Sequence, residues 1–544
     1  MDGILRTHAS VKRREMLLSL AAAGVAQRLA VRPALGAEAA APIADTDCGK
    51  VRGVAMNGVL SFRGVPYAAP TAGAARFLPP LRAAAWRGTL DATKAGPRAW
   101  QAGNPAFGDA SIFSAPVIGE YFAGGRQDAV GIASEPQSEN CLVLNVLTPA
   151  VHGKRPVMVY IHGGGFAIGS GALTLLADRF VKEQDIVLVG VNHRLNVFGY
   201  TYLAGLDSKY SDSGNVGQLD LIAALQWVKT NIAQFGGDAA NVTIFGESGG
   251  GAKVSTLMAM PLAKGLFHRA IIESGSMLSV RSAETAAKQS GELLAALKVS
   301  SAAQIESIPV QQLLAAATSA GPMAPFGPVV DGRSVPHQTW APNAPSEAAG
   351  VALLVGNCKD ESTLFSMSNA ALFSLDWVAL RDQEIKSGVP ADKADALIAQ
   401  YRSDYPSDSA SDVYFRIAGD RGARRNALEQ AQAQSKQATV YMYNFAWNTP
   451  LDQGRLRAFH TAELPLAMRL VLNPEAEQLS RQIAGAWGGF ARSGNPNHRE
   501  LPRWEAFSKG SGATMIFDAG KTAAADFPAR QELALLTPLP RSLL

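Results

Sequence analysis

The stretch from residue 143 to residue 245 constrains this chain most. Residues 156–161 (Pro-Val-Met-Val-Tyr-Ile), 186–191 (Ile-Val-Leu-Val-Gly-Val) and 242–245 (Val-Thr-Ile-Phe) are near-continuous apolar, β-branched runs. A strand with no polar face must be covered on both sides, and in water that is the signature of a parallel sheet under helices. Between the second and third runs, residues 219–232 switch to helical spacing and stop at Gly236-Gly237. Strand, helix, strand in this order predicts a large, mostly parallel α/β sheet. Residues 351–356 and 440–445 return to the buried-strand pattern, whereas 283–320 and 376–437, rich in Ala, Leu, Gln and Lys, are expected to be helical insertions. Residues 95–138, dense in Gly, Ala and Pro, are expected to be a surface loop. With 544 residues and 47% apolar content the chain can bury one large core, and one interrupted sheet accounts for the pattern better than several autonomous domains.

Charge and cysteine content narrow the function classes. The formal net charge is +4, and residues 1–38 carry six basic against three acidic side chains, so the remainder is nearly neutral and offers no basic stripe for nucleic acid. Three cysteines, Cys48, Cys141 and Cys358, lack Cys-x-x-Cys spacing and give neither a zinc site nor a disulfide framework. The N-terminus runs from Lys12-Arg13-Arg14 through an apolar stretch, interrupted at Gln27-Arg28, to small residues near 34–41. That order is expected of an export signal of twin-arginine character over residues 1–38, too short in its apolar part for a permanent membrane span. A periplasmic or secreted location and a single domain over 39–544 follow as expectations.

The sharpest chemical signal is Gly246-Glu247-Ser248-Gly249-Gly250, directly after the 242–245 run and before a segment of helical character at 252–260. A serine on a tight strand-to-helix turn is exposed at the sheet edge, and flanking glycines let strand and helix approach closely. His162-Gly163-Gly164-Gly165-Phe166 closes the 156–161 strand, and three residues without side chains can turn their amides toward a substrate oxygen. A serine nucleophile needs a base and an acid, and four histidines follow Ser248: His268, His337, His460 and His498. His460, after the 440–445 strand, and Glu361, after the 351–355 strand, lie where open α/β sheets put their sites, but residue pattern alone does not choose them.

At these residues the chain resembles the type-B carboxylesterase family, which includes cholinesterases, liver carboxylesterases and bacterial para-nitrobenzyl esterases; the last are nearest in character. The likeness extends through Phe62-Arg63-Gly64-Val65-Pro66-Tyr67, Arg76-Phe77-Leu78-Pro79-Pro80, Ser138-Glu139-Asn140-Cys141-Leu142, Asn231-Ile232-Ala233-Gln234-Phe235-Gly236-Gly237-Asp238 and Phe490-Ala491-Arg492-Ser493-Gly494-Asn495-Pro496. The resemblance implies an α/β-hydrolase fold, Ser248 as nucleophile, Glu361 as triad acid, His460 as base, and the amides of Gly164, Gly165 and Gly249 as an oxyanion hole. It aligns Glu247 and Ser274 with residues that hydrogen-bond around the triad. Three departures stand out. Gly249 replaces the usual Ala, Asn140 replaces an acidic residue, and Ala99 stands where the family has the disulfide partner of Cys141.

The implied activity is hydrolysis of small, uncharged carboxylic esters through an acyl-enzyme, with no metal or organic cofactor, no nucleic-acid partner, and a monomer or weak homo-oligomer. A cholinesterase-like binding protein without catalysis and a lipase acting on lipid esters are the alternatives. Presence of all three triad residues favours catalysis over the first, and rates below and above substrate solubility discriminate the second.

Overall fold

Residues that are apolar at every position of a strand need cover on two faces, and the large sheet meets that need. The structure is a computed structural model describing residues 41–101, 116–126, 135–319, 326–508, 510–526 and 530–542. The expected export signal at 1–38 lies outside the described residues.

In chain order the described strands are β1 (Ile43–Thr46), β2 (Gly49–Arg52), β3 (Val54–Met56), β4 (Val59–Pro66), β5 (Thr89–Asp91), β6 (Val143–Thr148), β7 (Arg155–Ile161), β8 (Val187–Val191), β9 (Gly237–Glu247), β10 (Arg269–Glu273), β11 (Ala352–Cys358), β12 (Val440–Phe445), β13 (Ala513–Phe517) and β14 (Ala523–Asp526). Strands β1, β2 and β5 make a small sheet, and the other eleven form one sheet in the order β14-β13-β12-β11-β10-β9-β7-β8-β6-β4-β3. Its centre, from β8 to β13, is parallel, and antiparallel pairs close both edges. This is the α/β-hydrolase architecture.

Alternation along the central strands divides the core. Val157, Val159 and Ile161 of β7 join one apolar cluster with Val242 and Ile244 of β9. Met158 and Tyr160 join the other with Phe245, Ile271 and Tyr443. Helix Val216–Asn231 covers the first face through Leu221, Ile222, Leu225 and Val228. Helix Glu477–Ser493 covers the second through Ile483, Trp487 and Phe490. The expected insertions are helical, with Ala283–Ala296 and Val310–Ser319 in the first, and Trp377–Lys386, Ala391–Asp404, Ala410–Gly419 and Arg425–Gln434 in the second.

One expectation needs correction. Within the segment read as surface loop, Pro116–Ala123 is a helix whose Ile118 and Tyr121 are buried. Tyr121 donates its hydroxyl to Ala462 O at 2.7 Å, so this helix packs beneath the turn that carries His460. The physical reason is tertiary burial of two side chains in a segment whose local composition favours a loop. All three cysteines are free and buried, and Ala99 is buried as well.

Candidate active site

Parallel strands in register bring their carboxyl ends to one edge, and that edge carries the predicted residues. Glu247 of β9 pairs with Glu273 of β10, which pairs with Gly356 of β11. Ser248 and Ser274 therefore leave their strands side by side, and the turn with Glu361 follows β11. Ser248 is held at φ 56°, ψ −126°, outside the regions L-residues ordinarily occupy, between β9 and helix Gly249–Leu257. Its amide donates to Glu273 O at 2.8 Å and its carbonyl accepts from Ala252 N at 3.0 Å, so backbone on both sides fixes the strained turn. The serine itself is half-buried and opens on a cavity of about 710 Å³.

Glu361 and His460 come together although 99 residues separate them. His460 Nδ1 lies 2.5 Å from Glu361 Oε2, and both side chains are fully buried. Glu361 Oε1 accepts from Cys358 N at 2.8 Å, so each carboxyl oxygen has a donor and the side chain is fixed in one orientation. The Phe365 ring packs on the imidazole at 5.1 Å. Nε2 of His460 has no hydrogen-bond partner among the described residues and lies 3.3 Å from Glu247 Oε1. Ser248, His460, Gly164, Gly165 and Gly249 all line the same cavity. Gly164 and Gly165 both take positive φ, which explains why the loop needs residues without a Cβ. The amide of Gly249 belongs to the first turn of the helix, where no intrahelical acceptor exists.

Behind these residues lies a set of buried carboxyl groups. Ser274 Oγ is 3.5 Å from Glu463 Oε1 and 3.4 Å from Cys358 N, so Ser274 links the β11 turn to the helix after His460. Glu463 also accepts from Tyr443 OH at 2.9 Å and from the Cys358 thiol at 2.8 Å. Glu273 accepts from Trp487 Nε1 at 3.1 Å. Burial pushes Glu247 and Glu463 above the ordinary carboxyl range, aided at both by the Glu361 charge, and pushes Glu273 up to about 8. Glu247 thus lies beside His460, and Ser274 beside Glu463 and the Cys358 amide. Sequence reasoning missed Glu273 and Glu463 and gave Cys358 no place at the site; the spacing of Glu463, three residues after His460, was the available signal.

Lys253, also missed, is the other buried charge at the site. It is fully buried, its Nζ donates to His162 O at 3.0 Å and Gly165 O at 2.7 Å, and burial pushes it down to about 7. A lone lysine in the otherwise small and apolar run Gly249-Gly250-Gly251-Ala252-Lys253-Val254 was the signal. Among the described residues no group of three His, Cys, Asp or Glu side chains is arranged to hold a metal ion, and no helix is long and apolar enough to cross a membrane.

The cavity walls mix Phe166, Met277, Leu278 and Phe365 with serines 276, 279, 362 and 366. Arg541 and Ser542, near the C-terminus, also line it, and Arg541 pairs with Glu429 at 2.6 Å. The arrangement offers a hydroxyl opening on the cavity, an imidazole oriented by a carboxyl group, and amides at a glycine-rich edge, the parts acyl transfer requires.

A profile of the Carboxylesterase family matches residues 40–536. The para-nitrobenzyl esterase of Bacillus subtilis is 33% identical over 501 residues, spanning 88% of this chain and 95% of the relative. The human cocaine esterase is 31% identical, covering 87% of each chain. Among solved structures, a Geobacillus stearothermophilus carboxylesterase superposes with a TM-score of 0.76 at 36% identity, over 91% of this chain and all of the other.

Proposed function

The chain belongs to the carboxylesterase family and is a carboxylic ester hydrolase; from that premise we propose that Ser248, His460 and Glu361 form its catalytic triad and that the amides of Gly164, Gly165 and Gly249 form its oxyanion hole. The observation that carries this reading is the fully buried imidazole held at 2.5 Å by Glu361, with its other nitrogen unpartnered in the residue set that lines the cavity with Ser248. Hydrogen bonds of a resting site often tighten only when substrate is bound.

His460 Nε2 takes the Ser248 proton as Oγ attacks the ester carbonyl, and Glu361 orients the ring and stabilises the imidazolium. The developing oxyanion is met by backbone amides that need no reorganisation, each contributing a few kcal/mol to the transition state. His460 protonates the departing alcohol, and water then releases the acid from the acyl-Ser248 intermediate by the reverse proton path. The apolar and hydroxyl lining, with Arg541 neutralised by Glu429, supports an uncharged ester of small to medium size. The order of basic, apolar and small residues in 1–38 supports export, so the active species is residues 39–544 acting as one hydrolase domain in the periplasm or outside the cell. Exported protein should lack that leader by N-terminal sequencing, and an intact leader contradicts export.

Ser248→Ala tests the reading. Hydrolysis of p-nitrophenyl butyrate should fall by about 10⁴-fold or more while the protein keeps its melting temperature. Wild-type turnover in that variant refutes the assignment.

A further inference from the structure

We propose that Lys253 is a positioning residue for ester hydrolysis: its side chain ties the glycine run of the oxyanion hole to the helix behind Ser248, with the bare Gly249 as the other half of the same device. The proposal rests on the oxyanion-hole assignment above and assigns what holds that hole in place.

A run of three glycines has no side chains with which to anchor itself, and its backbone has more freedom to lose than any other. Gly164 O accepts from Ala167 N at 3.2 Å and Ile168 N at 3.1 Å, and Phe166 O accepts from Asn196 N at 2.6 Å, which secures the following turn. The carbonyls of His162 and Gly165 bracket the run, and among the described residues each has a single donor, Lys253 Nζ, at 3.0 and 2.7 Å. The ammonium also lies 5.3 Å from the Phe166 ring, the next residue of the loop. Lys253 sits one helical turn after Gly249, so its stem runs along the face of the helix that meets the loop.

Gly249 meets the same Gly165 peptide from the other side. A Cβ at position 249 would lie 2.2 Å from Gly165 O and 2.4 Å from Gly165 Cα, distances no methyl group tolerates. The loop is therefore docked backbone to backbone on the turn, and the oxygen that Gly249 leaves room for is the one that Lys253 holds. Burying an ammonium is unfavourable unless hydrogen bonds offset it, and here they go to the segment whose amides face the reacting carbonyl. Displacement of such donors by about 1 Å costs on the order of 100-fold in rate.

The test uses the full chain with Lys253→Met, which keeps the length and removes the donors, and with Gly249→Ala. Each is assayed with p-nitrophenyl butyrate and with a trifluoromethyl ketone, whose serine adduct carries the oxyanion. The expected result for either variant is a kcat lower by about 10- to 100-fold, KM within about threefold, and ketone affinity weakened in proportion to kcat/KM. The double variant should lose little more than the worse single one, because both act on one docked contact. If Lys253→Met does not fold, Lys253→Gln, which keeps a shorter donor, takes its place, with a smaller loss of kcat and ketone affinity in the same direction. Unchanged kcat and ketone affinity in the lysine variant and in Gly249→Ala overturn the proposal, as does a rise in KM alone. Should those kinetics be unchanged while Ser248→Ala is inactive, only the positioning role fails; an active Ser248→Ala instead removes the assignment beneath it.

Discussion

At the residue scale the proposed chemistry depends on fixing three side chains, Ser248, His460 and Glu361, whose free forms are poor catalysts. A serine hydroxyl gains nucleophilicity only from a base aimed at it, and an imidazole is aimed only if its other nitrogen is held. The Glu361 contact at 2.5 Å does the holding, and the Cys358 amide at 2.8 Å holds Glu361 in turn. Glu361→Gln preserves the shape but can offer its amide to Nδ1, favouring the tautomer in which Nε2 carries the hydrogen and cannot accept one. Its kcat should fall by about 10²- to 10⁴-fold with KM little changed, measured with p-nitrophenyl butyrate; a loss under about threefold contradicts the role. The turn that carries Ser248 was legible because strand, Gly-x-Ser-x-Gly and helix occur in one short window. Glu361 and His460 have no local pattern of their own, and only family resemblance chose them among the carboxylates and the four histidines after Ser248. Lys253 was not legible, since a single lysine ordinarily reads as a solvated side chain and its burial is created by the loop that packs over it.

At the element scale, the strand-turn-helix unit works because β7, β9 and the helix after Ser248 meet without side chains between them. A Cβ on Gly250 would lie 2.0 Å from Ile161 O, the last carbonyl of β7. Gly250→Ala must push the helix off the sheet, and destabilisation on the order of 3 kcal/mol or more is expected by urea titration, together with lost turnover. A variant as stable and active as wild type would show that this packing does not set the turn. The central strands were readable because residues buried on both faces leave no polar alternation to confuse them with edge strands. Pro116–Ala123 was not, because its own residues favour a loop and its helicity comes from Tyr121 and Ile118 packing in a distant part of the chain.

At the scale of the whole molecule, the buried carboxyl groups at the sheet edge make stability depend on pH. Glu273 is pushed up to about 8 by burial first and the Glu463 charge second, against an ordinary 4.5. Between those values the folded protein holds a proton that the unfolded chain has released. The contribution of this group to stability is therefore full below about pH 4.5 and declines as pH rises toward 8. Glu247 and Glu463 act in the same direction. Glu273→Gln should flatten the fall in unfolding free energy between pH 5 and pH 8 by roughly 2–4 kcal/mol, and an unaltered slope would place the proton elsewhere.

The central claim, that one serine made reactive by distant partners carries the chemistry, is tested most directly by labelling with a fluorophosphonate followed by peptide mapping. The account predicts complete inactivation at one adduct per chain, with the adduct on Ser248 and labelling greatly slowed in His460→Ala. Full activity in protein quantitatively modified at Ser248, or inactivation with the label on another residue, would contradict it.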